Sequence, residues 1–255
     1  MDIFKKKQKL KKKKKLIEFI EDCSQLDEIS IKTSGDLKNK NFKIVLHSII
    51  QSFHIDTKIP AWIKELEGLS GRKFRYFLNI LIENLEKPRY LEIGSWLGST
   101  ACSASYGNNL KLTCIDDWSQ TFKGIKEPRK KFYKNLNRSL NKNSVTNVLE
   151  TDYKQINYKG IGKHNVFFFD GPHHKKDHFD AIILTQDALE DEFIMIIDDW
   201  NWKQVRDGTN QALKTLNLKI ISFVEIRTTQ NDLKPLFEGK NSDWHNGYAL
   251  FIIRK

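Results

Sequence analysis

The chain has 255 residues, of which 39% are hydrophobic and 11% are aromatic, and it carries a formal net charge of +11. This length allows one large domain or a domain with an appendage, and the hydrophobic fraction excludes a chain that is disordered throughout. No run approaches the roughly 18 apolar residues of a membrane-spanning helix, and the N-terminus lacks the apolar segment of a signal peptide. The three cysteines, Cys23, Cys102 and Cys114, form no C-x-x-C pair, so we expect a cytoplasmic protein rather than a disulfide framework.

The positive charge is concentrated at the N-terminus. Residues 1–15 contain nine lysines and one aspartate, a net charge of +8, so the other 240 residues carry only +3. A lysine run of this kind is typical of a solvated, flexible end, and contact with nucleic acid or an anionic membrane is its alternative use. We therefore treat residues 1–15 as a basic tail.

Residues 16–88 are expected to form a mainly helical N-terminal extension. Residues 16–26 have the apolar spacing of a short helix, whereas 27–60 show no clear period. Residues 59–85 are again helical in spacing, with an interruption at 68–71, before Pro88 ends the segment.

From residue 89 onward, short apolar runs alternate with amphipathic stretches. Strands are expected at 90–93, 110–115, 145–149, 165–169, 193–197, 219–226 and 248–253. Helices are expected up to 106, near 129–140, up to about 189 and near 205–216. The alternation predicts an α/β domain over 89–255 with a Rossmann-like, doubly wound, mostly parallel sheet. The runs 166–169 and 193–197 are apolar throughout, as in central strands covered on both faces.

Acidic residues follow the predicted strands, where ligands bind in an open α/β sheet. They are Glu92, Asp116 with Asp117, Asp152, Asp170, and Asp198 with Asp199. Like charges at one edge repel each other unless cations or hydroxyl donors are bound there. The pattern favours a cationic ligand, a sugar-bearing ligand, a metal, or a combination of these.

The turn after the first of these strands reads E-x-G-x-x-x-G, with glycines at Gly94 and Gly98. A dinucleotide-binding G-x-G-x-x-G would require glycine at Trp96 and at Ser99. An acid before the first glycine would repel a pyrophosphate but suits an ammonium or a sulfonium group. The spacing therefore disfavours a nicotinamide-dependent oxidoreductase.

Residues 90–100 and 114–118 resemble the S-adenosylmethionine (SAM)-binding motifs of class I methyltransferases. They are most similar to the branch with catechol O-methyltransferase, the macrocin and mycinamicin sugar O-methyltransferases and the cephalosporin-hydroxylase-like proteins. The resemblance covers about residues 89–199, although the Gly-Gly turn often found before the fifth strand is absent. It implies SAM as the cofactor, with the ribose on Asp116 or Asp117 and Asp152 near the adenine. The remaining cofactor residues are Glu92, Gly94, Ser95, Gly98 and Ser99.

A second group consists of Asp170, His173, Asp198 and Asp199. Three carboxylates at adjacent strand ends suit Mg²⁺, which prefers oxygen ligands. The resemblance implies that the three acids bind Mg²⁺ and that His173 is the catalytic base. Such an ion would lower the pKa of a substrate hydroxyl, and a neutral histidine could then accept its proton. The expected reaction is O-methylation of a small-molecule or saccharide acceptor, and Pro172 is expected in the first turn of the following helix.

Several alternatives remain open from the sequence. His173, His174 and His178 could instead form a zinc site, and one of the paired aspartates could cap a turn. The protein could be a cephalosporin-hydroxylase-like protein of the same fold or a non-catalytic binding module. A nucleic-acid methyltransferase using the basic tail is a further reading, although residues 170–173 do not form the N/D-P-P-Y/F element typical of base amino-methylation. Trp200, Trp202 and Trp244, with segment 242–247, are expected either in the core or beside the acceptor.

Overall fold

A computed structural model describes residues 27–54, 58–120 and 122–255. The basic tail, the helix expected at 16–26 and Cys23 lie outside these residues. The strands are β1 Ser30–Gly35, β2 Arg89–Ile93, β3 Lys111–Ile115, β4 Val145–Leu149, β5 His164–Phe169, β6 Leu189–Ile197, β7 Lys219–Arg227 and β8 Tyr248–Arg254. The α-helices are α1 Lys40–Ser52, α2 Ala61–Lys64, α3 Arg72–Asn84, α4 Ser99–Ser105, α5 Pro128–Ser139, α6 Lys175–Thr185 and α7 Lys203–Thr215.

The strands form one sheet in the order β1-β7-β8-β6-β5-β2-β3-β4. Strands β2 to β6 pair in parallel, whereas β8 is antiparallel to both β6 and β7, and β1 is antiparallel to β7. The chain therefore has the Rossmann-like, mostly parallel sheet that the alternation of strands and helices predicts. Strand β2 pairs with β3 on one side and β5 on the other, which creates the crevice where ligands bind in such sheets.

Helices cover both faces of the sheet because successive side chains of a strand point to opposite faces. Phe168 and Ile196 pack with helices α1, α3, α4 and α5 on one face. Phe167 and Met195 pack with helices α6 and α7 on the other face. This two-sided burial explains why the central strands are apolar at every position.

Residues 27–60, for which the sequence shows no period, contain strand β1 and helix α1. Strand β1 adds to the edge of the sheet next to β7, and most of its residues are exposed. Helix α1 begins where the side chain of Asn39 accepts a hydrogen bond from the backbone N–H of Phe42. Phe42 and Val45 of this helix then enter the core beneath the sheet. The helical spacing at 59–85 corresponds to two separate helices, α2 and α3.

A buried histidine begins β5 at the edge of the sheet opposite to the acidic strand ends. Nδ1 of His164 lies 3.1 Å from the carbonyl oxygen of Ala188, and Nε2 lies 2.9 Å from the hydroxyl oxygen of Thr113. A carbonyl oxygen can only accept, so Nδ1 carries the proton of the neutral ring and Nε2 accepts from Thr113. Burial lowers the pKa of His164 to about 4.

This histidine makes the stability of the fold depend on pH. Because the folded-state pKa lies below the unfolded value of about 6.5, the stabilisation is complete above that pH and is lost as the pH falls towards 4. The full loss is about 3 kcal/mol. We expect the His164→Gln variant to lose less unfolding free energy than the wild type between pH 7 and pH 4.5 in urea titrations. The exposed His174→Gln variant is the control, and equal losses in wild type and His164→Gln would contradict the prediction.

Candidate active site

The register of the parallel strands aligns the predicted site residues. Ile93 pairs with Ile115 and with Phe169, and Phe169 pairs with Ile197. The next residues along these strands are therefore at one level of the sheet edge. They are Gly94, Asp116, Asp170 and Asp198.

The glycines of the first turn are required by the fold itself. Gly94 has φ +92°, and a Cβ atom there would lie 1.8 Å from the carbonyl oxygen of Asp170. Gly98 has φ +82° and begins helix α4, with the ring of Phe132 3.1 Å from the position of a Cβ atom. Glycine at position 94 lets the ends of β2 and β5 approach each other without a steric clash, and glycine at position 98 lets helix α4 begin against the ring of Phe132.

Asp116 organises the turns after β2 and β3. Its carboxylate accepts hydrogen bonds of 2.7 Å from the backbone N–H groups of Trp96 and Trp118. Burial raises its pKa, and these two hydrogen bonds oppose that rise. The neighbouring Asp117 is exposed and accepts hydrogen bonds from the backbone and hydroxyl groups of Ser119. Both oxygens of Asp116 and Oδ2 of Asp117 keep free lone pairs, so both acids can accept ligand hydroxyls.

A cavity of about 270 Å³ opens at this edge of the sheet. Its walls come from the turns after β2, β3, β4 and β5, together with Leu69 from the segment between α2 and α3. Among the residues predicted to bind the cofactor, Gly94, Ser95, Ser99, Asp116, Asp117 and Asp152 line it. Residues 170–173 also line it, so the cavity reaches the second predicted group.

Glu92, which the sequence assigns to the cofactor site, precedes the turn at Gly94 and does not itself line the cavity. It is fully buried, and its Oε2 accepts a 2.7 Å hydrogen bond from the hydroxyl of Tyr90. Among the described residues, its Oε1 and the hydroxyl of Ser95 are buried without a partner at full hydrogen-bond geometry, although the hydroxyls of Ser95 and Thr100 lie close enough to lower the pKa of Glu92. Burial raises the pKa of Glu92. Buried polar atoms without a partner are typical of a site that receives a polar ligand, so these residues fit an ammonium group.

Three residues of the second group converge. One potential ligand atom from each of Asp170, His173 and Asp199 lies within 4.8 Å of the others, a spacing that could hold a metal ion. Asp198 lies beside this cluster, is 1% exposed, and has an Oδ1 atom without a hydrogen-bond partner. The oxygen-rich donor set and this free carboxylate oxygen fit Mg²⁺.

The charges of the cluster strongly perturb one another. Burial raises the pKa of Asp170 well above its usual value, as do the charges of Asp198 and Asp199. Burial and Asp199 likewise raise the pKa of Asp198. Burial would also raise the pKa of Asp199, but the charge of His173 outweighs it and holds that pKa at about 2. Burial would lower the pKa of His173, but the nearby carboxylates raise it.

The loop before β8 completes this cluster. Nδ1 of His173 lies 2.9 Å from Oδ2 of Asp199, and the side-chain amide of Asn246 donates a 2.5 Å hydrogen bond to Oδ1 of Asp199. Oδ1 of Asn246 is buried without a partner. The neighbouring His245 is buried and accepts a hydrogen bond at Nδ1 from the backbone of Gly239. Segment 242–247, which the sequence singled out, therefore lies against the predicted acceptor side.

The tryptophans of this region divide between the core and the cluster. Trp244 is fully buried in the core, and Trp200 is 3% exposed. Trp202 packs edge-on against the ring of His173, with ring centroids 5.3 Å apart.

Two local expectations differ from the structure. Helix α6 begins at Lys175 with His174 as its N-cap, so Pro172 precedes the helix rather than lying in its first turn. Within the described residues, the cluster with metal-ligand spacing contains His173 with two acids and neither His174 nor His178. His174 is exposed, and His178 is buried against Phe169.

Sequence reasoning did not identify Leu69 or Lys154 as part of the site. Leu69 and Lys154 line the cavity, and Nζ of Lys154 lies 2.6 Å from Oδ1 of Asp177. They lie in segments that carry no recognisable motif. Only the tertiary contacts reveal them.

No family model matches the chain, and no curated protein matches it in sequence. The crystal structure of TrmN from Thermus thermophilus is similar at a TM-score of 0.51 and 11% identity, covering 76% of this chain and 51% of that one. An O-methyltransferase from Bacillus cereus solved in complex with SAH is similar at a TM-score of 0.48 and 12% identity, covering 85% of this chain and 92% of that one.

The chain spans about half the length of TrmN. Among the described residues, no helix combines the length and the apolar character needed to cross a bilayer. The likeness to TrmN, together with the strand order, shows that the chain has the Rossmann-like fold of methyltransferases.

Proposed function

We propose that this protein is a SAM-dependent methyltransferase that methylates a hydroxyl group of a small molecule or a saccharide with the assistance of Mg²⁺. The observation that carries the proposal is the continuity of two sites. One cavity is lined both by Asp116 and Asp117 of the predicted cofactor site and by Asp170 and His173 of the predicted metal site. A methyl donor bound in the cavity would therefore end beside a base and a cluster of carboxylates.

The residues around the cavity suit the parts of SAM in turn. Glu92 and Ser95 have unpartnered polar atoms for the ammonium group. Asp116 and Asp117 have lone pairs for the ribose hydroxyls, and Asp152, which lines the same cavity, would lie near the adenine. Bound SAM supplies an electrophilic methyl group on a sulfonium. The protein holds that group in place, and orientation of the reactants accounts for several of the roughly 7–11 kcal/mol that positioning can supply.

Asp170, Asp198 and Asp199 would hold Mg²⁺, which when bound supplies Lewis-acid activation of the acceptor hydroxyl. His173 then accepts the hydroxyl proton. Its ring is held between Asp199 and the edge of Trp202, which fixes the direction in which it meets the acceptor. Asn246 fixes the carboxylate of Asp199 from the opposite side.

Calorimetric titration with SAM and S-adenosylhomocysteine tests the separation of the two sites. We expect micromolar binding by the wild type, and a loss of about tenfold or more in Asp117→Ala because the ribose loses a charged acceptor. Asp117 is the informative position, since among the described residues its side chain accepts hydrogen bonds from Ser119 alone, whereas Asp116 also holds the turns.

The matched control is Asp170→Ala, titrated with Mg²⁺ and with EDTA. Its nucleoside affinity should stay close to that of the wild type because Asp170 lies at the metal end. A folded wild type that binds neither nucleoside would overturn the methyltransferase proposal.

A further inference from the structure

Arg75 of helix α3 is a buried cation without a carboxylate partner. Its side chain is fully buried, and Nη1 donates hydrogen bonds of 2.8–2.9 Å to the carbonyl oxygens of Ile63, Lys64 and Leu66. Nη2 has no hydrogen-bond partner within residues 27–54, 58–120 and 122–255. The nearest acids, Glu65 and Glu67, act only over longer distances.

This arrangement leaves the positive charge uncompensated. Burial lowers the pKa of Arg75 to about 10, so the guanidinium stays charged at neutral pH. Carbonyl oxygens solvate the group but do not neutralise it, and a buried charge without a counter-ion is costly. A ligand that brings an anion to this place would recover that cost.

A pair of serine hydroxyls connects Arg75 to the cavity. Nε of Arg75 donates a 3.0 Å hydrogen bond to Oγ of Ser70, and this oxygen lies 2.9 Å from Oγ of Ser99. Arginine can only donate, so Oγ of Ser70 accepts from Nε, and either serine can donate in the hydrogen bond between Ser70 and Ser99. When a carboxylate binds in the cavity that Ser99 lines, Ser70 can donate to Ser99, and the hydroxyl of Ser99 can donate to the carboxylate.

The geometry at Gly68 brings the charge close to the same point. A Cβ atom on Gly68 would lie 2.3 Å from Oγ of Ser99 and 3.2 Å from Nη2 of Arg75. Gly68 is therefore the residue that lies between Nη2 of Arg75 and the hydroxyl of Ser99. This end of the cavity therefore presents a polarised hydroxyl donor backed by a full positive charge, which suits a carboxylate.

We propose that Arg75 is the counter-ion for the carboxylate of the amino-acid moiety of SAM, which it positions through the hydroxyls of Ser70 and Ser99. The inference rests on the proposed function. It assigns the ammonium of that moiety to Glu92 and the carboxylate to Ser99, so that one acidic and one basic residue recognise the two charges of the ligand.

Two ligands that differ in this moiety provide the test. S-adenosylhomocysteine carries the carboxylate, whereas 5′-deoxy-5′-methylthioadenosine lacks both the carboxylate and the ammonium. We expect Arg75→Gln and Ser70→Ala to weaken S-adenosylhomocysteine binding by about tenfold or more and to change methylthioadenosine binding by no more than about twofold. Ser70→Ala leaves the carbonyl contacts of Arg75 intact, so it remains informative if Arg75→Gln does not fold.

The control is Arg254→Gln, which removes an exposed arginine paired with Glu192 at the end of β8 and should change neither affinity. Equal losses for both ligands would show that Arg75 only supports the fold and would overturn the inference. Unchanged binding of S-adenosylhomocysteine in Ser70→Ala would overturn it as well. A wild type that binds neither ligand would instead refute the cofactor assignment.

Discussion

The His173→Gln variant is expected to lower kcat for methyl transfer by about 10²- to 10⁴-fold and to leave the affinity for S-adenosylhomocysteine within about twofold. The imidazole lines the cavity, with Nδ1 2.9 Å from Oδ2 of Asp199, and we propose that it accepts the proton of the acceptor hydroxyl. Glutamine retains a polar side chain but cannot accept the proton. Single-turnover rates and calorimetric affinities measured on the same preparations separate the two effects.

The neighbouring histidine is the matched control for this variant. His174 is exposed and caps helix α6 with its backbone, so His174→Gln should retain the wild-type rate. A His173→Gln variant with nearly wild-type kcat would exclude His173 as the base. A loss of cofactor affinity as large as the loss of rate would indicate a positioning role instead.

The Asp198→Asn variant is expected to be more stable than the wild type in EDTA and to lose the stabilisation that Mg²⁺ confers on the wild type. Burial and the charge of Asp199 raise the pKa of Asp198, so the folded protein prefers the neutral side chain. The stabilisation that comes from this raised pKa is complete below the unfolded pKa of about 4. It is lost as the pH rises from there through the folded-state pKa of Asp198. Asparagine is neutral at every pH and avoids the loss.

A gain of about 1–3 kcal/mol, the size of a relieved unpaired buried charge, corresponds to roughly 2–12 °C in Tm for a chain of this size. Thermal melts at pH 7.5 with EDTA and with millimolar Mg²⁺ measure both effects. Asp187→Asn, at an exposed acid, is the control and should behave as the wild type. A variant that is less stable in EDTA, or that still responds to Mg²⁺ as the wild type does, would argue against the magnesium site.

The central sheet was accessible from the sequence because its signals are local. Apolar runs such as 166–169 identify strands that are buried on both faces, and the strand bounds in the structure agree with the expected ones to within four residues. The edge strand β1 was not accessible. Its sequence Ser-Ile-Lys-Thr-Ser-Gly has little apolar content, and its residues are mostly exposed. It is a strand because its backbone pairs with β7, which lies about 190 residues later in the chain.

The sequence likewise predicts part of the candidate site and leaves the rest to the tertiary structure. Asp116, Asp170 and Asp198 each follow a strand directly, so their place at the sheet edge could be read from their position in the chain. Their order around the cavity depends on the register between strands, which no local pattern encodes.

The sequence by itself therefore determined the fold class and which acidic residues stand at the carboxyl ends of the strands, because both follow from the periodicity of burial and the direction of parallel strands. Only the tertiary structure decided that Asn246 holds Asp199 and that Arg75 lies behind Ser99. Asn246 and Asp199 are 47 residues apart in the chain, and Arg75 and Ser99 are 24 residues apart. These contacts exist because packing of helix α3 and of the loop before β8 closes the same edge of the sheet, and such long-range packing leaves no signature in the order of the residues.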